Sequence, residues 1–318
     1  MSLARLDAAA AIVYRDLQPT PQRRWPLLDR RCGATVWVKH EHLTPVGSFK
    51  ARTALAWFHD LTMRRRDVRG VVAATRGNFG QAAAFAAGRH GIPLAVFVPH
   101  GNSTMKNEAM VAFGAELVER GRDFQESLEA AREVAGARGW EFMPAFDETL
   151  VEGAASYSLE LFRAAPGIDT MYVPIGLGSG ICGAIAARNA LNLKTTIVGV
   201  VSAAAPAYAR SFAAGRGVAC EATTRIADGI ACRVPSDAAL DIIRGGAERI
   251  VEVTDEEIEE AMRILYTDAH SVAEGAGAAG LAALLSERNA ARGRVNAIVL
   301  TGSNVDAPVF ARVLTACA

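Results

Sequence analysis

Four short segments of this 318-residue chain carry residue types whose spacing could do chemistry. The first is PIGLGSGICG, Pro174 to Gly183, which follows an apolar run and opens the alanine-rich stretch AIAARNAL. Glycines let backbone N–H groups approach a phosphate with no side chain in the way, and a helix N-terminus adds partial positive charge at the same point. Phosphate binding is the chemistry this loop suggests, although a plain tight connection between strand and helix uses the same residues. Gly178, Gly180 and Gly183 also spell the G-x-G-x-x-G pattern of dinucleotide sites. Such a site needs a carboxylate about 20 residues further on to hold the ribose hydroxyls. TTIVGVVS and AAAPAYA stand there and contain none, which argues against a dinucleotide. The Walker A alternative fails as well, because no G-K-[ST] follows the loop.

The second segment, VKHEHLTPVGSFKARTALAWF from Val38 to Phe58, is a strand that passes through a Pro-Val-Gly turn into a helix expected to begin near Ser48. Lys50 falls in its first turn. A single lysine is ordinarily a solvated surface residue, and one placed here opposes the helix dipole. Beside Phe49, however, an amine in a partly apolar, electropositive site would have its pKa lowered, as a Schiff-base lysine requires. The third segment, AATRGNFGQAAAFAAGRHGI from Ala73 to Ile92, places Thr75, Arg76, Gly77 and Asn78 at the turn into a helix. Its hydroxyl and backbone donors suit a carboxylate, and Asn78 can bond a phenolic or carbonyl oxygen. Thr75 as a helix cap with Gly77 as a turn residue is the competing reading. In the fourth, VLTGSNVD from Val299 to Asp306, a strand ends in Thr301 before a glycine turn. Strand ends of this kind face the ligand crevice of an α/β sheet, and Thr301 could equally cap the next element.

The elements that must position these segments alternate between β-rich and helical runs. TVWVK (35–39), GVVAA (70–74), LAVFVP (94–99), MYVPI (171–175), TTIVGVVS (195–202), RIVEVT (249–254) and NAIVLT (296–301) read as strands, each flanked by alanine-rich or charged helical stretches. The rhythm predicts an α/β fold built on mostly parallel sheet. The strands from Gly70 to about Asp147 form one compact set and those after Met171 another. Two open parallel-sheet domains are therefore expected, a smaller one at 66–147 inserted in a larger one made of 1–65 and 148–318. The start, MSLARLDAAAAIVYRDL, reads as an amphipathic helix and not as a leader peptide, and 211–248 as loops and short helices.

Hydrophobic residues make up 51% and charged residues 21%, a balance typical of a globular enzyme. Lys plus Arg and Asp plus Glu are equal at 34 each, so no net field draws the chain to nucleic acid or anionic lipid, and a small molecule is the expected partner. Cys32, Cys182, Cys220, Cys232 and Cys317 show no C-x-x-C spacing and read as free thiols of a reducing compartment. No uninterrupted apolar run reaches the roughly 18 residues of a membrane span, and the cytoplasm is the expected location.

Joined by I-A-D-G at Ile226 to Gly229, these segments resemble the fold type II enzymes that use pyridoxal 5'-phosphate (PLP), specifically the threonine dehydratase and serine racemase family. The resemblance covers nearly the whole chain. It is carried by Lys39, Glu41, Ser48, Phe49, Lys50 and Arg52, by Gly77 and Asn78, by the loop from Gly176, by I-A-D-G, and by T-G-S-N at Thr301 to Asn304. It implies that Lys50 holds PLP as a Schiff base and, once displaced by the substrate amine, serves as the catalytic base. Phe49 would pack on the pyridine ring and Asn78 would bond its phenolic oxygen. Gly176, Leu177, Gly178, Ser179 and Gly180 would cradle the phosphate, Gly229 would lie along the other ring face, and Thr301 would meet the pyridine nitrogen. Ser48, Thr75, Arg76, Gly77 and Phe79 would face the substrate. A neutral hydroxyl at the ring nitrogen weakens the electron sink and favours elimination. The implied reaction is dehydrative deamination of a β-hydroxy amino acid such as L-threonine or L-serine to a 2-oxo acid and ammonia, the departing hydroxyl taking its proton from the cofactor phosphate.

Departures from the family pattern bear on the substrate. Its dehydratases carry Ser-Ala-Gly-Asn-His where this chain has Thr75 to Phe79, and its racemases have serine where Arg76 stands, so racemisation is not the expected main activity. Arg76 could pair with a second substrate carboxylate, making 3-hydroxyaspartate an alternative substrate, or point to solvent. Ser202 and Tyr208 stand where metal-binding members have carboxylates, so no divalent metal site is expected. Gly153, Ala154, Ala155 and Ser156 replace G-Q-G-T. Glu274 matches a carboxylate the family places near the site, with helix surface as the other reading. The resemblance further implies a homodimer, and a catabolic form lacking isoleucine feedback. A β-replacement synthase and a binding subunit without catalysis are the rival functions; I-A-D-G and T-G-S-N favour the dehydratase branch over the synthase.

Overall fold

Apolar runs become strands here because helices cover both faces of each sheet, the arrangement that parallel sheets require. The computed structural model describes residues 1–316. Its strands are β1 (Gln22–Arg24), β2 (Thr35–His40), β3 (Val71–Ala74), β4 (Leu94–Val98), β5 (Glu116–Glu119), β6 (Glu141–Phe142), β7 (Thr170–Pro174), β8 (Thr196–Ser202), β9 (Arg249–Val253) and β10 (Val295–Leu300). They form a six-stranded sheet ordered β1-β2-β10-β7-β8-β9 and a four-stranded sheet ordered β5-β4-β3-β6. Every pairing is parallel except β1 with β2. The four-stranded unit draws only on residues between Val71 and Phe142, whereas the six-stranded unit draws on the chain before and after it. The fold is thus α/β with two parallel-sheet units.

The seven long runs expected as strands are strands. β1, β5 and β6 are additions to that set, and their sequences, QRR, ELVE and EF, are short and mostly polar because they lie at sheet edges with one flank in solvent. The helix that carries Lys50 begins at Lys50 itself and runs to Arg64, two residues later than expected. Ser48 is instead held in an isolated bridge with Gly302, and the Phe49 N–H donates to the Thr301 carbonyl at 3.0 Å. The second and fourth chemical segments are therefore stitched together by backbone. Cys32, Cys182, Cys220 and Cys232 are free thiols; Cys317 lies outside the described residues. Among the described residues no helix is long and apolar enough to cross a membrane.

Beneath the Lys50 turn lies a buried charge network. Arg52, with no exposed surface, donates to Glu41 at 2.7 and 3.0 Å, to Glu160 at 2.6 and 2.9 Å and to Ser156 at 3.0 Å. Lys39 also pairs with Glu160 and donates to the Thr20 carbonyl at 2.6 Å. Two cations and two carboxylates balance, which is how buried ions are tolerated. Arg52→Met leaves Glu41 and Glu160 facing Lys39 alone. The expected loss is about 3–5 kcal/mol, the usual result of breaking a buried pair from one side. A denaturant midpoint unchanged from wild type would show the network to be dispensable.

Candidate active site

The carboxyl ends of β7, β10 and β3 converge, each handing the chain to a glycine-containing turn. After β7, the loop Gly176–Gly178 leads into the helix Ser179–Ala190, whose first-turn N–H groups have no partner within the helix. Gly178 is left-handed, with φ +104°. The loop is also closely walled: a Cβ on Gly176 would lie 2.5 Å from the Gly229 carbonyl oxygen, and one on Gly180 would lie 3.3 Å from the Tyr157 hydroxyl and 3.5 Å from Phe49. Two tyrosines hold it from beneath. Tyr208 donates to the Leu177 carbonyl at 3.0 Å and accepts from the Ser236 N–H at 3.2 Å, and Tyr157 donates to the Gly180 carbonyl at 3.0 Å. Tyr157 also meets the Phe49 ring edge-on, with centroids 5.8 Å apart. Neither tyrosine stands out in sequence, because each reaches the loop from a helix remote along the chain.

Lys50 faces this loop. Its amine donates to Ser179 Oγ at 3.2 Å and lies 4.9 Å from the centre of the Phe49 ring and 5.8 Å from that of Phe79. Burial lowers its pKa to about 8. The expectation of an electropositive site needs correction, since desolvation and not a neighbouring cation is responsible. The chain has only four lysines. Lys39 and Lys106 are paired with carboxylates and Lys194 is exposed. Lys50 alone is half-buried with an amine free of any carboxylate, the state in which a neutral nucleophile is favoured.

The third segment closes the site from the four-stranded unit. Thr75 does not cap the helix Asn78–His90; Gly77 occupies the cap position, and the Thr75 hydroxyl accepts from the Gly77 N–H at 3.0 Å. Thr75 and Gly77 are buried, Asn78 and Phe79 half-buried, and Arg76 exposed. The Asn78 amide donates to Glu274 at 2.5 Å and accepts from Asn304 at 2.8 Å. Glu274 is therefore no helix-surface residue: only 3% exposed, it precedes the helix Gly275–Ser286 and reaches the site through Asn78. Thr301, 7% exposed, directly follows β10 beside the Phe49 N–H and does not cap the next helix, which starts after Asp306. Ser48 is fully buried with its hydroxyl unpartnered.

An uncommitted, half-buried amine facing a glycine-walled helix start can hold a molecule that has both a carbonyl and a phosphate. Pyridoxal phosphate is such a molecule, and the residues present fit it. Residues 13–302 match the family described as pyridoxal-phosphate dependent enzyme, and the chain belongs to it. An L-threonine ammonia-lyase of Thermotoga maritima is 33% identical over 289 residues, covering 91% of this chain and 72% of the relative. The crystal structure of a threonine deaminase from T.th. superimposes with a TM-score of 0.89 at 32% identity, covering 96% of this chain and 99% of that one. That of a pyridoxal 5'-phosphate-dependent aspartate racemase gives a TM-score of 0.91 at 26% identity, with 96% of each chain covered.

Proposed function

We propose that this protein is a PLP-dependent ammonia-lyase that converts a β-hydroxy amino acid such as L-threonine or L-serine to a 2-oxo acid and ammonia. The observation that carries the reading is the half-buried Lys50, whose amine has no carboxylate partner and lies 3.2 Å from Ser179 of the glycine loop; the named relatives support it. Lys50 would hold the cofactor covalently, with Phe49 against its ring, Asn78 at its phenolic oxygen, Thr301 at its ring nitrogen and Gly229 along the second face. Gly176 to Gly180 would take its phosphate on backbone N–H groups. When bound, PLP draws electron density from bonds at the substrate Cα.

The chain's own residues supply the rest. Thr75, Gly77 and the start of the helix Asn78–His90 bind the substrate carboxylate, and Ser48 offers a further hydroxyl. Lys50, with a pKa near 8, takes the Cα proton as general base. Ser179, already bonded to the amine, steers it during that transfer. Phe49 and Phe79 keep bulk water from the amine. Threonine would give 2-oxobutanoate and ammonia, water being lost at the β-carbon and regained on hydrolysis. We further infer a homodimer on the strength of the family resemblance, a cytoplasmic location from the unpaired cysteines, and, from the grouping of the strands, 66–147 as the smaller domain and 1–65 plus 148–318 as the larger.

A second reading concerns the substrate. Arg76 is exposed beside the carboxylate turn and forms no ion pair among the described residues, and one structural neighbour is an aspartate racemase. An anionic substrate side chain would meet that guanidinium. Assaying keto acid and ammonia from L-threonine, L-serine and both 3-hydroxyaspartate diastereomers tests both readings. Keto acid and ammonia in equal amounts from any of them supports the lyase; neither product from all four contradicts it. Arg76→Ala is expected to lower kcat/KM on 3-hydroxyaspartate by about 10–100-fold, the worth of a charge-assisted hydrogen bond, and on threonine by less than about threefold. Equal losses on both would remove Arg76 from substrate selection.

A further inference from the structure

Lys106 lies in the four-stranded unit, in the first turn of the helix Thr104–Ala112. It is 5% exposed. A buried ammonium at a helix start opposes both desolvation and the helix dipole, so something specific must hold it there. Its Nζ donates to Asp228 Oδ2 at 2.6 Å and stands 3.8 Å from Glu274 Oε2, both in the six-stranded unit. Burial pulls its pKa down, and the carboxylates of Glu274, Asp228 and Asp306 outweigh that, leaving it raised. The side-chain stem also lies against the carboxylate turn, where a Cβ on Gly77 would come within 2.8 Å of Lys106 Cδ.

The partners complete a circuit around the site. Glu274 accepts from Asn78, and Asn78 accepts from Asn304 of the turn after β10. Asp228 adjoins Gly229, whose carbonyl walls the phosphate loop at Gly176. At the start of the same helix, Ser103 donates to Asp306 at 2.7 Å, a second tie between the two units.

We propose that Lys106 is a positioning residue: its ammonium links the Thr75–Asn78 turn of one unit to Asp228 and Glu274 of the other, fixing the substrate-carboxylate turn over the cofactor pocket. The kinetic part rests on the lyase reading; the hydrogen-exchange part does not. Lys106→Met keeps the stem against Gly77 and removes the charge. In the holoenzyme it is expected to raise KM for L-threonine by at least about tenfold while kcat stays within about threefold, the loss of a charged hydrogen bond felt in substrate binding. Hydrogen exchange should quicken at residues 75–79 and 226–230, with β7 and β10 unchanged.

Asp228→Ala breaks the same link from its more exposed side and should reproduce both effects. The double variant should be no worse than Lys106→Met alone, because the two changes remove one interaction. Unchanged exchange at both turns, additive effects in the double variant, or exchange quickened equally throughout β3, β4 and β5 would overturn the proposal, the last by making Lys106 a packing residue only. If Lys106→Met does not fold, the Asp228→Ala exchange pattern decides alone. Absence of lyase activity in wild type with the exchange pattern intact would reject the lyase reading and leave the link standing.

Discussion

Lys50→Ala is expected to lower turnover by at least about a thousandfold, the upper range for removal of a positioned general base, and to abolish the yellow absorbance of the lysine-bound cofactor. Two independent losses contribute: the chain would lose its covalent hold on the cofactor and the group placed to take the Cα proton. The environment of the amine makes a further, quantitative prediction. Burial brings its pKa to about 8, against about 10.4 for a solvated lysine. Capture of PLP by the cofactor-free chain needs the neutral amine, so the capture rate should climb with pH up to about 8 and then level. A rate still climbing past about pH 10 would mean that the reacting lysine is solvated. Activity retained within about tenfold in Lys50→Ala would remove Lys50 from the mechanism.

Gly176→Ala should weaken cofactor binding by about 10–100-fold, corresponding to overpacking of roughly 1–3 kcal/mol. The new methyl would sit 2.5 Å from the Gly229 carbonyl oxygen, against backbone, with no flexible side chain to give way. Either the loop from Gly176 or the turn Asp228–Ile230 must then shift, and both border the proposed cofactor pocket. Gly245→Ala is the control. That glycine lies in the helix Asp237–Gly246, and a Cβ there meets nothing within 4 Å. PLP titration followed by absorbance should show wild-type affinity for Gly245→Ala and reduced affinity for Gly176→Ala. Equal affinities would mean that the close approach of Gly176 to Gly229 is not needed for cofactor binding.

Much of this is legible in the sequence, for physical reasons that differ by element. β7 and β8 read clearly because a strand covered on both faces needs apolar residues throughout, whereas Glu116–Glu119 and Glu141–Phe142, at sheet edges, can be polar and give no such signal. Lys50 and the loop from Gly176 stand out because their chemistry lies in local spacing, glycines before a helix and a lysine after Ser-Phe. The supports do not stand out. Tyr157, Tyr208 and Glu160 act across more than 20 residues of chain, and nothing near them distinguishes an anchoring hydroxyl or carboxylate from an ordinary helix residue. Lys106 is the sharpest case. By sequence it is a helix lysine after a strand; packing within its own unit places its stem on Gly77, and only the packing of the two sheet units places its ammonium on Asp228 and Glu274. Glu274, open between surface and site on sequence grounds, is settled by burial.

The central claim is that Lys50 holds the cofactor. The holoenzyme reduced with borohydride, digested and mapped by mass spectrometry should carry the pyridoxyl group on Lys50 and on no other of the four lysines. A group mapped to Lys39, Lys106 or Lys194, or no covalent group at all, would contradict it.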